Sequence, residues 1–227
     1  KDMPVDQPEG LVLDCYLPRE DVRDAFISPR LGGIADLPRG AVVGTSSLRR
    51  RAQLLNRRPD LEGVQFRGNV QTRLRKLEEG VASCTFLAMA GLTRLGMLAE
   101  VPAYPIAPED MLPAVAQGAI GIERRADDTA TAALLEPIHH RETAQRLAAE
   151  RAFLAALDGS CETPIAGLAE LSGGTLRLRG EILRPDGSET LTDAGEAPIA
   201  DGAALGRDMG RRLLERAGPG FFDWRSA

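Results

Sequence analysis

Aromatic residues are scarce in this 227-residue chain: six phenylalanines, two tyrosines and one tryptophan, 4% of the whole. Single-stranded nucleic acid is held largely by base stacking on aromatic faces, so that platform is missing, and a net charge of −5 does not favour a polyanion either. Long apolar runs are absent too. None reaches the roughly 18 residues of a spanning helix, which excludes a helical membrane protein. Only three cysteines occur, Cys15, Cys84 and Cys161. Odd in number and widely spaced, they match neither a disulfide framework nor a zinc site and suit a reducing, cytoplasmic setting. His139 and His140 are the only histidines. One adjacent pair supplies no metal geometry and reads as a domain junction. The chain opens on Lys1 without Met, a basic n-region or an apolar h-region, so it shows no secretory signal and reads as a fragment.

What is present is ordinary globular composition, 43% hydrophobic and 27% charged, with room for one large domain or two small ones. The cations are almost all arginine. Of 28 basic residues only Lys1 and Lys76 are lysine. Residues 49–94 carry nine arginines and one lysine against four acids, a net +6, so the rest of the chain carries −11. A basic segment in an acidic protein points to a local anionic partner, and guanidinium forks match carboxylate or phosphate equally well.

Residues 40–96 predict three strand-then-helix units. A short strand over 41–43 leads through Ser46-Ser47 into a helix that Pro59 stops. A second strand, 64–66, precedes a helix over 70–79 that Gly80 closes. A third strand, 85–90, ends in a short turn over 92–95. This alternation argues for an α/β layer with a largely parallel sheet. Basic clusters then fall at the carboxyl ends of strands, where such sheets bind ligands and helix N-termini add positive charge. Residues 19–26 read as a solvated charged turn. Residues 112–122 read as a loop followed by a buried strand. A long helix over 142–157 begins a separate small α+β domain, with strands at 176–179 and 181–183, a turn at Pro185-Asp186-Gly187 and a closing helix over 203–216.

Each signal has two readings. Ser46-Ser47 ahead of Arg49 and Arg50 is either an anion cradle or a serine cap on a helix with a solvated basic face. Arg67, Arg73 and Arg75 share that ambiguity, and repetition at three successive strand ends favours the cradle. Cys161 sits on a glycine-bearing loop past a helix, as an inert thiol or a nucleophile. Cys15 and Cys84 lie in apolar strands and read as core thiols.

Six segments in order resemble the hydroxymethylbilane synthase (porphobilinogen deaminase) family: Lys1-Asp2-Met3-Pro4, the Gly44–Arg50 stretch, the Arg67–Leu74 stretch, residues 90–96, residues 112–123 and the loop around Cys161. The resemblance implies an enzyme that joins four porphobilinogen molecules head to tail, releasing ammonia, on a dipyrromethane cofactor held covalently by Cys161. It implies a catalytic aspartate at Asp2, cofactor contacts at Lys1, Ser47, Arg49 and Arg50, and substrate contacts at Arg67, Arg73 and Arg94, with no metal, nucleic acid or membrane, in a cytoplasmic monomer. Every porphobilinogen unit brings two carboxylates, which suits a cleft rich in arginine. The implied fold is α/β: periplasmic-binding-protein-like domains, the first mostly missing and the second complete, plus a small C-terminal α+β domain. Residues 1–17 and 118–136 would be a remnant of the first domain, 18–117 the second and 137–227 the third. Roughly eighty further residues would precede Lys1, enough to complete a domain of ordinary size. Two small departures are Ser160 and Ala116, each where the family commonly has glycine. A non-catalytic anion-binding module is the alternative reading. Treating Arg49 and Arg50 as exposed strand-tip groups predicts that replacing either by Ala impairs cofactor assembly more than folding.

Overall fold

The computed structural model of the chain describes residues 2–157 and 163–223. Its first strand, β1 (Leu11–Tyr16), is followed by β2 (Asp24–Ile27), whose four residues are all buried. This overturns the solvated turn expected over 19–26. Two of the charges there are paired inside the protein instead, Arg19 with Glu150 at 2.6 Å and Asp24 with Arg50 at 2.7 Å, while Arg23 and Asp21 pair with each other at 2.7 Å nearer the surface. A charged run marks solvent only when its partners are absent, and for Arg19 and Asp24 they come from distant parts of the chain.

Three strand-helix units follow. β3 (Val42–Gly44) leads to α1 (Leu48–Arg57), β4 (Glu62–Val64) to α2 (Val70–Glu78), and β5 (Cys84–Ala88) directly to α3 (Met89–Arg94). Caps set the helix starts. The Ser47 hydroxyl accepts the Arg50 N–H and the Asn69 side chain accepts the Thr72 N–H, relieving orphan donors of each first turn. Gly80, at φ +76°, ends α2. The second strand lies two residues earlier than expected because Phe66 is used as a core residue: a Cβ on Gly44 would fall 2.5 Å from its ring. The third unit has a helix where a strand end and turn were expected.

With β6 (Ala103–Pro105) these strands form a five-stranded sheet, ordered β4-β3-β5-β2-β6. β3 runs parallel to β4 and β5, whereas β2 is antiparallel to both β5 and β6. Four strands therefore share one direction, as a largely parallel sheet requires, and β2 alone is reversed, wedged between two of them. Alternation along β2 feeds two cores. Phe26 packs with Val43, Leu54 and Phe86 on one face, Ala25 and Ile27 with Phe66 and Leu92 on the other.

The chain then returns. β7 (Gly121–Arg125) pairs antiparallel with β1 in a two-stranded sheet. It is not the buried strand expected, since a lone ribbon covers little and its residues alternate between exposed and half-buried. After α4 (Thr129–Leu135), α5 (Arg141–Ala156) is capped by His140, whose ring Nδ1 accepts the Thr143 N–H at 3.2 Å. Three antiparallel strands, β8 (Ile165–Ser172), β9 (Thr175–Leu183) and β10 (Thr190–Pro198), and the helix α6 (Gly202–Ala217) complete the last unit. β9 is a single strand where two were expected. Gly180 interrupts the sequence pattern but not the strand, because the Phe153 ring occupies the space above it, 2.5 Å from where a Cβ would stand.

Two crossing segments join the five-stranded sheet to the remainder. Leu17 N–H donates to Ile120 O and Glu20 N–H to Gly118 O, each at 3.1 Å. The Arg19 guanidinium donates twice to the Glu150 carboxylate, at 2.6 and 3.0 Å, and that carboxylate also accepts the N–H groups of Ala116 at 2.7 Å and Ala169 at 2.8 Å. Ala116 stands at φ +59°, the one non-glycine described residue in the left-handed region. An alanine there costs about 1 kcal/mol, so its replacement of glycine is less mild than its size implies.

Candidate functional site

The parallel arrangement of β3, β4 and β5 puts the starts of α1, α2 and α3 at one sheet edge, where orphan N–H groups and helix dipoles favour anions. Arg49 and Arg50 occupy the first turn of α1. Cations are unfavourable there, and the structure supplies a counter-charge: Asp24, fully buried at the start of β2. Arg50 donates to Asp24 Oδ1 from Nε at 2.9 Å and from a terminal nitrogen at 2.7 Å, and to Phe86 O at 3.0 Å. Arg49 approaches Asp24 Oδ2 at 2.8 Å and donates to Leu112 O at 2.9 Å and Gln53 Oε1 at 3.0 Å. Both arginines are buried, at 4% and 9% exposure. The picture of exposed strand-tip guanidiniums is therefore corrected: Arg49 and Arg50 belong to the interior, because one carboxylate brings both inward.

Burial by itself would raise the Asp24 carboxyl, but the guanidiniums of Arg49 and Arg50 outweigh it and hold it at about 2. Burial pulls Arg49 downward, partly offset by Asp24. Gln117 adds a neutral donor, its Nε2 reaching Asp24 Oδ1 at 3.0 Å and Val22 O at 2.7 Å. Gln53 reaches the last unit, donating to Glu181 Oε2 at 2.5 Å. Three buried atoms of this network make no hydrogen bond, Arg49 Nε, Gln117 Oε1 and Asp24 Oδ2, the last held by its ion pair with Arg49.

Ser47 is half-buried as the α1 cap. Arg73, on α2, is half-buried and donates to Gly68 O at 2.8 Å; burial lowers it, and the neighbouring Arg50 charge lowers it further. Arg67 is exposed, and Arg94 is exposed with a bond to Gly118 O at 2.8 Å. Among the described residues none of Arg67, Arg73 and Arg94 forms an ion pair with an acid. Asp2 is exposed near a segment that Arg151 ties down, its guanidinium donating to Pro4 O at 2.8 Å and Val5 O at 2.7 Å. Arg151 lies on α5, the helix that runs toward Cys161 in sequence. Lys1 and Cys161 lie outside the described residues. Cys15 and Cys84 are buried free thiols, Cys84 pushed up to about 12 by burial.

The sequence reading missed Asp24, Gln53, Gln117 and Glu181. One signal was available: two adjacent arginines in a helix's first turn demand an acid, and none is near them in the chain. Among the described residues no group of His, Cys, Asp or Glu is placed to hold a metal ion, and no helix is long and apolar enough to cross a membrane. The arrangement suits a ligand bearing several carboxylates. The partnerless N–H of buried Arg49 and the acid-free Arg73 fit a ligand with carboxylate arms, and an acid-substituted dipyrrole is one such ligand.

Comparison with known proteins covers most of the chain. A family model described as "Porphobilinogen deaminase, dipyromethane cofactor binding domain" matches residues 1–133, and "Porphobilinogen deaminase, C-terminal domain" matches 144–215. The chain is 68% identical over 224 residues to a porphobilinogen deaminase of Paracoccus denitrificans, covering 99% of this chain and 71% of that protein. It is 53% identical over 228 residues to the chloroplastic porphobilinogen deaminase of Pisum sativum, covering 98% of this chain and 61% of that one. Among solved structures, an arginine-specific periplasmic binding protein of Salmonella typhimurium overlaps 60% of this chain and 62% of its own at 18% identity and a TM-score of 0.37, too distant to add detail.

Proposed function

The chain belongs to the porphobilinogen deaminase family, and from that premise we propose how its residues divide the work of hydroxymethylbilane synthase, the transferase of haem and tetrapyrrole biosynthesis that condenses porphobilinogen stepwise with release of ammonia. The supporting observation is the cation surplus at one sheet edge: Arg49 and Arg50 share a single carboxylate, and Arg73 stands beside them without an acid. Cys161 holds the dipyrromethane cofactor through a thioether, and Lys1, Ser47, Arg49 and Arg50 grip its acid side arms. When bound, that cofactor supplies a pyrrole carbon on which the chain of rings is built.

Arg67, Arg73 and Arg94 orient the incoming porphobilinogen through its acetate and propionate groups. Two carboxylates per substrate molecule call for more than one guanidinium, and forked donors fix orientation where ammonium groups would not. Asp2 stabilises the positive charge that develops on the pyrrole as ammonia leaves. The chain divides into three units, 1–17 with 118–136, 18–117 and 137–227, and acts as a cytoplasmic monomer.

Intact-mass measurement tests this reading. The protein should be heavier than its sequence by one dipyrrole, and Cys161→Ser should restore the sequence mass while abolishing ammonia release from porphobilinogen. A protein that turns over porphobilinogen with an unmodified Cys161 would overturn it.

A further inference from the structure

We propose that Asp24 is a positioning residue of the site: its one buried carboxylate aims the Arg49 and Arg50 guanidiniums at the strand ends, and Gln117 couples that aim to the crossing segment. The proposal rests on the reading of Arg49 and Arg50 as cofactor contacts. Four observations support it.

The first is charge. Two guanidiniums in the first turn of α1 repel each other and oppose the helix dipole, and Arg73 adds to the field around Arg50. Among the described groups facing them, Asp24 alone is an acid in direct contact. Glu181 reaches Arg49 only across space and through Gln53. One negative charge against two positive ones holds the pair without neutralising it. A site for carboxylates needs that imbalance, since fully paired guanidiniums would have nothing left to offer.

The second is geometry. Both hydrogen bonds from Arg50 converge on Oδ1, Arg49 takes Oδ2, and Gln117 also takes Oδ1. The carboxylate is gripped from three side chains and cannot rotate freely, so it fixes the direction of both arginines. The third is the pair of orphan atoms. On either side of the Asp24 carboxylate, Arg49 Nε is buried without an acceptor and Gln117 Oε1 without a donor. These are a donor and an acceptor held ready for a ligand.

The fourth is connection. Gln117 also bonds Val22 O, and the Arg19 side chain bonds Gln117 O at 2.9 Å. Asp24 is thereby tied to both crossing segments, and a change in their relation reaches the guanidiniums through it.

The test compares wild type with Asp24→Asn, which keeps the shape and one acceptor while removing the charge. Three quantities are read on folded, monodisperse protein: the fraction carrying the dipyrrole adduct by intact mass, the affinity for porphobilinogen by calorimetric titration, and the guanidinium Nε–H resonances of Arg49 and Arg50 by NMR. The expected result is at least about a tenfold fall in adduct fraction and in affinity, the size of one charge-assisted hydrogen bond, with the arginine resonances broadened. A folded variant that loads and binds within about twofold of wild type, with sharp resonances, would overturn the proposal and leave Asp24 a core counter-ion. Should Asp24→Asn fail to fold, Gln117→Met decides. It removes one donor from Asp24 and keeps both ion pairs, and about a threefold weaker affinity is expected, with an unchanged value overturning the proposal. If wild type itself neither carries an adduct nor binds porphobilinogen, the functional reading fails. The arginine resonances then still judge Asp24, since they report its hold on both side chains whatever the protein binds.

Discussion

Arg49 and Arg50 occupy positions where a helix disfavours cations, and they are held there by an acid contributed from another strand. Removing one guanidinium leaves Asp24 short of a partner inside the protein, so Arg50→Ala should lower the unfolding free energy by about 3–5 kcal/mol, reversing the expectation drawn from exposure. Denaturant unfolding measures this, and a loss below about 1 kcal/mol would show the pairing to be dispensable. The pH dependence follows from the same carboxyl. Asp24 is depressed to about 2 in the folded chain from 3.8, so its stabilisation is complete above about pH 4 and drains away as pH falls toward 2. The pair should contribute about 2 kcal/mol to that acid sensitivity. Acid unfolding of Asp24→Asn, flatter over that window than wild type, checks it. At this scale the sequence singled out the arginines but not what faces them. Asp24 lies 26 positions before Arg50 and is surrounded by charge that looks solvated, so no local pattern marks it as interior.

Helices were the most legible elements because their limits depend on neighbours in sequence. Ser47 and Asn69 cap, and Pro59 and Gly80 stop, all within a few residues of the ends they set. β2 was hidden because its identity depends on pairing with strands some 60 to 80 residues later, a tertiary matter that overrides local charge. The contact between α5 and α6 was equally invisible. A Cβ on Gly206 would collide with the Ala149 carbonyl oxygen, a backbone atom that cannot swing aside. Gly206→Ala should therefore force the two helices apart and lower stability by about 2–3 kcal/mol, despite alanine's better helix propensity. A raised thermal midpoint would contradict this packing.

For the whole molecule, the decisive feature is the Glu150 carboxylate, which accepts four hydrogen bonds: two from Arg19 and one each from Ala116 and Ala169. They bring together a crossing segment, the loop before it and the last sheet. Glu150→Ala should strip a buried guanidinium and two N–H groups of their acceptor at once, costing about 3–5 kcal/mol. It should also divide a single calorimetric unfolding transition into two, one for the five-stranded sheet and one for the C-terminal unit. A single transition merely shifted downward would show that the units remain coupled by other contacts. The α/β character was readable from composition and order of motifs, whereas the fastening at Glu150 was not, since it uses residues that carry no motif.

The paired crossings have a topological consequence. Because the segments leaving and rejoining the framework lie hydrogen-bonded side by side at Glu20 and Gly118, the arginine-bearing sheet hangs on a double covalent strap, with Gln53 and Asn56 of α1 as a second point of attachment on the last unit. Any tilt of the sheet must strain the strap or break the second attachment, and the alanine at φ +59° stands next to Gln117 on that strap.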